Sequence, residues 1–345
     1  MATGNIWPGR EIGNYRIKEE IASGGFGIVF LAHHAILSDR PPVALKLMHT
    51  RFSTSEHREQ FIQEAQLLER LHHPHILRLI DVGITVEGSP YLITVYAPCG
   101  SLRDLLGKEK TPLPLTRALQ IVQHIGQALH FAHSQNILHR DLKPANVLFE
   151  TPEHALLADF GIALVSEGNT VREMNAVGTP AYMAPEQFAG MTSKQSDQYA
   201  LGCIAYELFT GRKLFPTQDP YQLMNCHVNQ KPVPPAQINP DLPPHIEEAI
   251  LTSLAKERSA RYPDVITFID ALQALPPLEI TTSTYNKQNG SAPDHGPSSQ
   301  NPPVETDSGG VGADEDTPVG RVYSQPNPPE QTANPFLGDA QQPVT

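Results

Sequence analysis

Short apolar runs of strand length, separated by turns, occupy the chain between residues 15 and 97. They include YRIKEEIA, GIVFLAHH, PPVALKLM and PYLITVYA, and such runs predict β-strands. One segment among them, SEHREQFIQEAQLLERLHH, differs because its apolar positions recur every three or four residues. These positions are Phe61, Ala65, Leu68 and Leu71. Their spacing predicts a single helix within a strand-rich region.

The second part of the chain has the helical pattern almost throughout. A helix is predicted over residues 115–133 from one apolar stripe, which comprises Leu119, Val122, Ile125, Leu129 and Ala132. After residue 190 the pattern is again mainly helical, interrupted by KPVPPAQINPDLPPH. A strand-rich front followed by a helix-rich back predicts an α+β fold with two lobes.

Residues 276–345 have a different composition, rich in Pro, Ser, Thr, Gly, Asn and Gln, as in SAPDHGPSSQNPPVETDSGG. From Pro277 onward there are nine acidic and two basic residues. Because such a segment cannot bury enough apolar surface to offset its ordering entropy, we expect a disordered tail. We interpret it as a linker, or as the stalk of a longer membrane-anchored protein, rather than as a binding element.

Charge and cysteine content narrow the classes of function. The 345-residue chain has a formal net charge of −12, so nucleic acid is not an expected partner. Its three cysteines, Cys99, Cys203 and Cys226, lack C-x-x-C spacing, which argues against a disulfide framework or a zinc site. No apolar run approaches the length of a membrane span, and MATGNIWPGR does not resemble a signal peptide. We therefore expect a cytoplasmic location and no membrane segment in this chain.

Three glycines fall within four residues in IASGGFGIVF, residues 21–30, which we call the glycine loop. Gly24, Gly25 and Gly27 permit a close approach of the backbone to a ligand. A phosphate-binding loop usually has one more glycine, at the position of Ala22. A dinucleotide-binding fingerprint would require a helix after the loop, but the strand pattern IVFLAHH follows it. A lid over phosphates, built from two strands, is the remaining interpretation.

Four further motifs follow the glycine loop, and together they resemble serine/threonine protein kinases, most closely the bacterial members. The resemblance covers residues 12–275 and rests on VALK (43–46) with Glu64, HRDLKPAN (139–146), DFG (159–161) and GTPAYMAPE (178–186). It implies a bilobal protein-kinase fold, in which a β-rich N-lobe with one helix (about residues 12–97) precedes an α-rich C-lobe (about residues 98–275).

The resemblance also implies the catalytic roles. Lys46 would bind the inner phosphates of ATP, and Glu64 would hold Lys46 in place, with Glu59 and Glu69 as less favoured alternatives. Asp141 would orient the substrate hydroxyl, and Lys143 would reach the transferred phosphate. The proposed Mg²⁺ ligands are Asn146 and Asp159, whose oxygens suit a hard cation.

The nucleotide site implied by the resemblance lies between the lobes. Val95 and Ala97 would bind adenine through their backbones, although many relatives have an acidic residue at position 95, and Thr94 would leave space behind the nucleotide. The full set implied comprises Ile21, Ala22, Ser23, Gly24, Gly25, Phe26, Gly27, Val29, Ala44, Lys46, Thr94, Val95, Ala97 and Leu148.

Other residues match structural positions of the family. Asp197 would anchor the catalytic-loop backbone, and Glu186 would form a buried ion pair with Arg261. An apolar stack linking the lobes would comprise Leu68, Leu79, His139 and Phe160, which makes His139 a packing residue and not a base. The histidines of LHHPHILRL belong to a turn of the family, so we do not expect a metal there.

Regulation is implied by Arg140, which in such kinases pairs with an anionic group on the activation segment. Thr170 is the candidate phosphosite, and Glu173 occupies a position where bacterial relatives often have a phosphorylated threonine. Glu173 either partly substitutes for phosphate or is a solvated charge. Thr179 would bond to Asp141 and Lys143, and it favours serine/threonine substrates.

The predicted function is ATP- and Mg²⁺-dependent phosphorylation of serine and threonine in proteins, including the chain itself, with self-association as one route to autophosphorylation. The alternative is a pseudokinase, a nucleotide-binding scaffold without transferase activity. Lys46, Asp141, Asn146 and Asp159 are all present, which favours the enzyme.

Overall fold

A computed structural model describes residues 8–25, 27–52, 54–109, 111–160 and 180–274. Phe26, the predicted regulatory residues Thr170, Glu173 and Thr179, and the predicted tail lie outside these ranges. Their assigned roles stay predictions.

The first part of the described chain is one antiparallel sheet with the strand order β1-β2-β3-β4-β6-β5. Its strands are β1 (Glu11–Ile12), β2 (Tyr15–Gly24), β3 (Gly27–His34), β4 (Val43–Met48), β5 (Leu79–Ile84) and β6 (Pro90–Val95). The four apolar runs quoted above correspond to β2, β3, β4 and β6. Strand β5 was not predicted, because Asp81 and Gly83 interrupt its apolar pattern.

A single helix, α1 (Ser55–Glu69), accompanies this sheet, as the sequence predicts. Thr54 is the N-cap of this helix, and its side chain accepts a hydrogen bond from the His57 amide. This bond satisfies one free donor of the first turn. Phe61 and Ala65 are buried, and Phe61 clusters with Met48 and Leu92 of the sheet. The helix ends before Leu71, which is buried beyond its last turn.

The second part is mainly helical. Its helices are α2 (Leu102–Lys108), α3 (Leu115–Ser134), α4 (Lys194–Thr210), α5 (Pro220–Asn229), α6 (Pro244–Ser253) and α7 (Val265–Gln273). Every residue of α4 from Ser196 to Thr210 is buried, so α4 is the central helix of this core. Within the described ranges, no helix is both long and apolar enough to cross a bilayer.

A two-stranded hairpin, β7 (Val147–Thr151) and β8 (His154–Leu157), joins the helical part to the sheet. The Leu157 amide donates to the His75 carbonyl at 2.8 Å, and the Leu77 amide donates to the Leu157 carbonyl at 2.9 Å. The Cys99 amide donates to the Phe149 carbonyl at 3.0 Å. These bonds position the segments on both sides of the hairpin, and the arrangement confirms the expected α+β architecture of a β-rich and an α-rich part.

Candidate active site

One buried carboxylate, that of Asp197, anchors the loop between α3 and β7. Asp197 of α4 accepts hydrogen bonds from the backbone amides of His139 and Arg140, both at 2.9 Å. It also lies 2.8 Å from Nε2 of His133. These bonds confirm the predicted anchoring role of Asp197. They hold Arg140 at φ 69°, a conformation that a non-glycine residue rarely adopts without such support.

His139 is buried against Phe160, with ring centroids 4.8 Å apart. Its Nε2 lies 2.9 Å from the Ala158 carbonyl, and since a carbonyl only accepts, Nε2 carries the proton. His139 is therefore a packing residue, as predicted. Leu68 packs against the helical core that contains Phe160, whereas Leu79 packs against the cluster of Met48, Phe61 and Leu92.

Asp141, Lys143 and Asn146 form a connected group at the end of this loop. Lys143 Nζ donates to Oδ2 of Asp141 at 2.6 Å. Asn146 Nδ2 donates to the Asp141 carbonyl at 2.8 Å and to Oδ2 at 3.3 Å. The side chain of Asp141 is 41% exposed, so its carboxylate is both oriented by neighbours and accessible to a substrate.

Lys46 pairs with Asp159 and not with Glu64. Lys46 Nζ lies 2.7 Å from Asp159 Oδ1, although the sequence predicts Glu64 as its partner. Both carboxylate oxygens of Glu64 are buried and have no hydrogen-bond partner within the described part of the chain. Burial raises the pKa of Glu64, while the positive charge of Arg140 opposes that rise. The expected Lys46–Glu64 pair is thus not formed in this structure, because α1 holds the Glu64 carboxylate out of contact with the ammonium, which contacts Asp159 instead.

The alternatives to Glu64 lie elsewhere on α1. Glu59 and Glu69 are exposed, whereas Glu64 shares the inward-facing side of the helix with Phe61 and Ala65. Of the three carboxylates, only Glu64 is directed inward.

A cavity of about 620 Å³ lies beside Lys46 and Asp159. Every predicted nucleotide-binding residue within the described ranges lines it, namely Ile21, Ala22, Ser23, Gly24, Gly25, Gly27, Val29, Ala44, Lys46, Thr94, Val95, Ala97 and Leu148. Its volume falls within the range typical of ligand sites. The structure thus brings together predicted nucleotide-binding residues from four separate stretches of sequence around one space of nucleotide size.

The glycine loop is a hairpin of two paired strands, in which Gly24 is opposite Gly27. A Cβ at Gly27 would lie 2.3 Å from the Leu47 carbonyl oxygen, whereas a Cβ at Gly24 would meet nothing within 4 Å. Gly27 is therefore required by close packing of β3 on β4, and Gly24 leaves space on the open side. Ala22 of β2 pairs with Val29 of β3 and is not among the residues with positive φ.

The cavity lining includes Thr94 and a group of apolar side chains, Leu68, Leu71, Leu79, Leu92 and Phe160. The expected space behind the nucleotide at position 94 stays a prediction. At the next position, the Val95 amide donates to the Arg78 carbonyl at 3.1 Å. That N–H is consequently not available to adenine, and the expected contact at Val95 reduces to its carbonyl.

Several lining residues were not found from the sequence. Ser101, Arg103 and Asp104 at the start of α2 line the cavity, as do Ala145 and Ala158. Ala158 could have been found from its position directly before Asp159. The α2 residues depend on how that helix packs, and no local pattern indicates it.

The ion pair between Glu186 and Arg261 fixes the segment that follows residue 180. Two guanidinium nitrogens of Arg261 donate to Glu186 at 2.8 and 2.9 Å, and Ser196 donates to the same carboxylate at 2.8 Å. Burial acts to raise the pKa of Glu186, but these hydrogen bonds outweigh it and lower the pKa. The predicted buried pair is confirmed.

Comparison with known proteins agrees with this geometry. The sequence profile described as "Protein kinase domain" matches residues 15–275. Serine/threonine-protein kinase PknB of Mycolicibacterium smegmatis is 36% identical over 256 residues, which are 72% of this chain and 40% of that protein. Serine/threonine-protein kinase PksC of Streptomyces coelicolor is 31% identical over 339 residues, which are 93% of this chain and 57% of that protein.

A solved structure has the same fold. The crystal structure of the Mycobacterium tuberculosis PknI kinase domain aligns with a TM-score of 0.62 at 28% identity, covering 78% of this chain and 98% of that chain. The chain spans about half the length of the curated relatives it matches. With the motifs, the cavity and the family profile in agreement, the chain belongs to the protein kinase family.

Proposed function

We propose that residues 12–275 form a serine/threonine protein kinase domain, which transfers the γ-phosphate of ATP to hydroxyl groups of proteins, including its own chain. The observation that carries this proposal is the group of Asp141, Lys143 and Asn146 beside a nucleotide-sized cavity lined by Lys46 and Asp159. Two relatives named serine/threonine-protein kinases support the substrate class.

The chemistry would be positioning and charge stabilisation. Asp141 would accept a hydrogen bond from the substrate hydroxyl and so orient its oxygen toward the phosphate. Lys143, 2.6 Å from Asp141, would place a positive charge beside the transferred group. The Asp141 carboxylate needs no additional support, because Asn146 and Lys143 already hold it.

Lys46 would supply positive charge to the nucleotide phosphates. In the structure it neutralises Asp159, so nucleotide binding would replace one anionic partner of Lys46 with another. The Asp159 carboxylate would then be released for a second role.

The residues present fit Mg²⁺. Both side-chain hydrogen bonds of Asn146 use Nδ2 as the donor, which leaves Oδ1 without a partner among the described residues. Asp159 contributes a carboxylate that is 40% exposed. Amide and carboxylate oxygens are ligands that Mg²⁺ accepts in small number alongside phosphate and water. When bound, the ion would neutralise phosphate charge.

The three free cysteines and the requirement for ATP support a reducing, cytoplasmic location for the domain.

The test is incubation of the purified chain with labelled ATP, Mg²⁺ and a generic basic protein, followed by analysis of the labelled amino acids. We expect label on serine and threonine, and a loss of about 100-fold or more in Asp141→Asn. Asp241→Asn, at an exposed site, is the matched control and should retain activity. Nucleotide binding without any transfer would instead indicate the scaffold alternative.

A further inference from the structure

A second cavity, of about 840 Å³, lies beside the nucleotide cavity and shares only part of its lining. We call it the hinge cavity. Its walls come from β2, the β3–β4 connection, β5, the segment after β6, the loop after α1, and the β7–β8 hairpin. It therefore contacts both the sheet and the helical part of the domain.

The lining of the hinge cavity combines apolar side chains with an excess of positively charged ones. Apolar surface comes mainly from Pro42, Pro74, Ile80, Tyr96, Pro98 and Leu156. The charged lining residues are Arg40, Arg78 and Glu150. Neither arginine has a carboxylate within ion-pair distance among the described residues, whereas Glu150 lies 3.1 Å from His154. Among the described residues, the cavity thus presents two guanidinium groups without an ion-pair partner and one carboxylate in contact with an imidazole.

Two histidines add hydrogen-bond donors to the same wall. Nδ1 of His34 accepts from the Leu37 amide at 3.0 Å, and Nδ1 of His73 accepts from the His75 amide at 3.1 Å. A nitrogen that accepts from a backbone N–H carries no proton, so in each neutral ring the proton is on Nε2. Both rings line the cavity, and both offer donors rather than acceptors.

Asp81 is a further acid near this wall, because burial and the Asp81 charge raise the pKa of Tyr15, which lines the cavity, while Arg40 lowers it. Asp81 accepts a hydrogen bond from the Val82 amide at 2.8 Å and does not line the cavity. It leaves the excess of donors in the cavity unchanged.

We propose that the hinge cavity is a binding site for a small amphipathic anion, a flat apolar body that carries a carboxylate, sulfonate or phosphate. The apolar lining would take the body of the ligand, and Arg40 and Arg78 would take its charge. The volume matches a small molecule rather than a folded partner, because ligand sites in proteins typically enclose 300–1,000 Å³.

Binding there is coupled to the nucleotide site through a shared wall. Ile76, Val95, Tyr96 and Pro98 line both cavities. In addition, the Arg78 carbonyl accepts the hydrogen bond from the Val95 amide, so one residue of the hinge cavity holds a residue of the adenine side. A ligand that shifts this wall changes nucleotide affinity, and the effect must be reciprocal.

The experiment uses 8-anilinonaphthalene-1-sulfonate, an aromatic anion whose fluorescence rises in apolar surroundings, titrated into the purified 345-residue chain. A saturating non-hydrolysable ATP analogue with Mg²⁺ keeps the nucleotide cavity filled. We expect one saturable site, and about five- to tenfold weaker binding in Arg40→Ala and in Arg78→Ala. Arg16→Ala, which removes an equal charge from an arginine paired with Glu11, should bind the dye like the unmodified chain.

Two further measurements separate the contributions of charge and space. N-phenyl-1-naphthylamine, the same ring system without the sulfonate, should bind more weakly and should be insensitive to Arg78→Ala. Ile80→Trp keeps both arginines but narrows the cavity at one wall, and it should weaken dye binding. The nucleotide and the dye should shift each other's dissociation constants by the same factor, at least twofold.

Three results would overturn the proposal. Complete displacement of the dye by the nucleotide analogue would place the dye in the nucleotide cavity. Equal binding by the unmodified chain, Arg40→Ala and Arg78→Ala would mean that the dye binds elsewhere. Finally, if polyglutamate displaces the dye, and if dye and nucleotide do not change each other's dissociation constants, the site is a peptide-binding surface.

Discussion

Of the two carboxylates Asp159 and Glu64, only one is paired with Lys46. Lys46 is paired with Asp159, and Glu64 is left buried without a partner among the described residues. A buried carboxylate that lacks hydrogen bonds destabilises the state that contains it. A rearrangement that brings Lys46 to Glu64 would relieve this, and it would also free Asp159.

This environment predicts a pH-dependent effect of Glu64→Gln. The pKa of Glu64 is raised above its ordinary value of 4.5 by burial, so the folded state holds the proton more tightly than the unfolded chain. The unfavourable contribution of Glu64 is then absent below about pH 4.5, grows as the pH rises toward the folded pKa, and stays constant above it. We expect the melting temperature of Glu64→Gln to exceed that of the unmodified chain at pH 8 but not at pH 4.5.

The control for this measurement is Glu69→Gln, at an exposed site on the same helix, which should show no such difference between the two pH values. Kinase activity of Glu64→Gln should fall even as its stability rises, since an amide cannot neutralise Lys46. A melting temperature that is unchanged or lower at pH 8 would mean that Glu64 has a partner in solution.

A second residue-scale prediction concerns Ala22 of the glycine loop. Ala22 sits in a paired strand without positive φ, so its methyl group adds no backbone strain. Ala22→Gly should therefore change the Michaelis constant for ATP by less than about threefold and leave turnover nearly unchanged. A large rise in turnover, measured by steady-state kinetics, would show that the methyl group restrains catalysis.

Among the helices, the crossing of α3 and α7 depends on one position without a side chain. A Cβ at Gly126 would lie 2.1 Å from Ile269 Cδ1 and 3.2 Å from a Val265 methyl group. Glycine normally weakens a helix interior by about 1 kcal/mol relative to alanine. Here its presence is explained by the close approach of the two helices rather than by local conformation.

Gly126→Ala should destabilise the domain by about 1–3 kcal/mol, because overpacking forces Ile269 from its position. The smaller side chain of Ile269→Val should recover part of this loss in the double variant. Gly107→Ala is the matched control: a Cβ there meets nothing within 4 Å, so it should stabilise α2 by about 0.5–1 kcal/mol. Chemical denaturation of the four proteins measures both effects, and equal behaviour of the two alanine variants would contradict this packing.

For the whole molecule, the nucleotide cavity joins the sheet to the helical part, so a bound nucleotide stabilises both. At 100 times its dissociation constant, MgATP should add about 2.7 kcal/mol to the free energy of unfolding and raise the melting temperature by roughly 5–10 °C. Lys46→Met and Asp159→Asn should reduce this rise, since both residues line the cavity.

Asp141→Asn distinguishes binding from chemistry, because Asp141 does not line the cavity. Its melting temperature should still rise with MgATP while phosphate transfer is lost. A thermal shift assay and the labelling assay measure these two properties. If Asp141→Asn loses both the stabilisation by MgATP and the phosphate transfer, the substitution disturbs the fold.

Sequence alone determined the features that depend on local pattern or on a complete motif. Strands β2, β3, β4 and β6 and helix α3 follow from apolar patterning, although β2 is buried only at Tyr15 and Ile17, near its start. The predicted catalytic residues and the predicted nucleotide-binding residues came from the family resemblance of ordered motifs, and the described nucleotide-binding residues line one cavity. The anchor at Asp197 and the Glu186–Arg261 pair were found in the same way, and their hydrogen bonds confirm them.

Only the tertiary structure decided the features that depend on contacts between segments distant in sequence. Which carboxylate neutralises Lys46 is set by the placement of α1 relative to residue 159, and this is not encoded in the spacing of 18 residues between Lys46 and Glu64. Strand β5 forms because β6 offers it a partner, and Gly126 is explained only by Ile269 on another helix. The hinge cavity likewise has walls from six separate segments, so only their packing creates it.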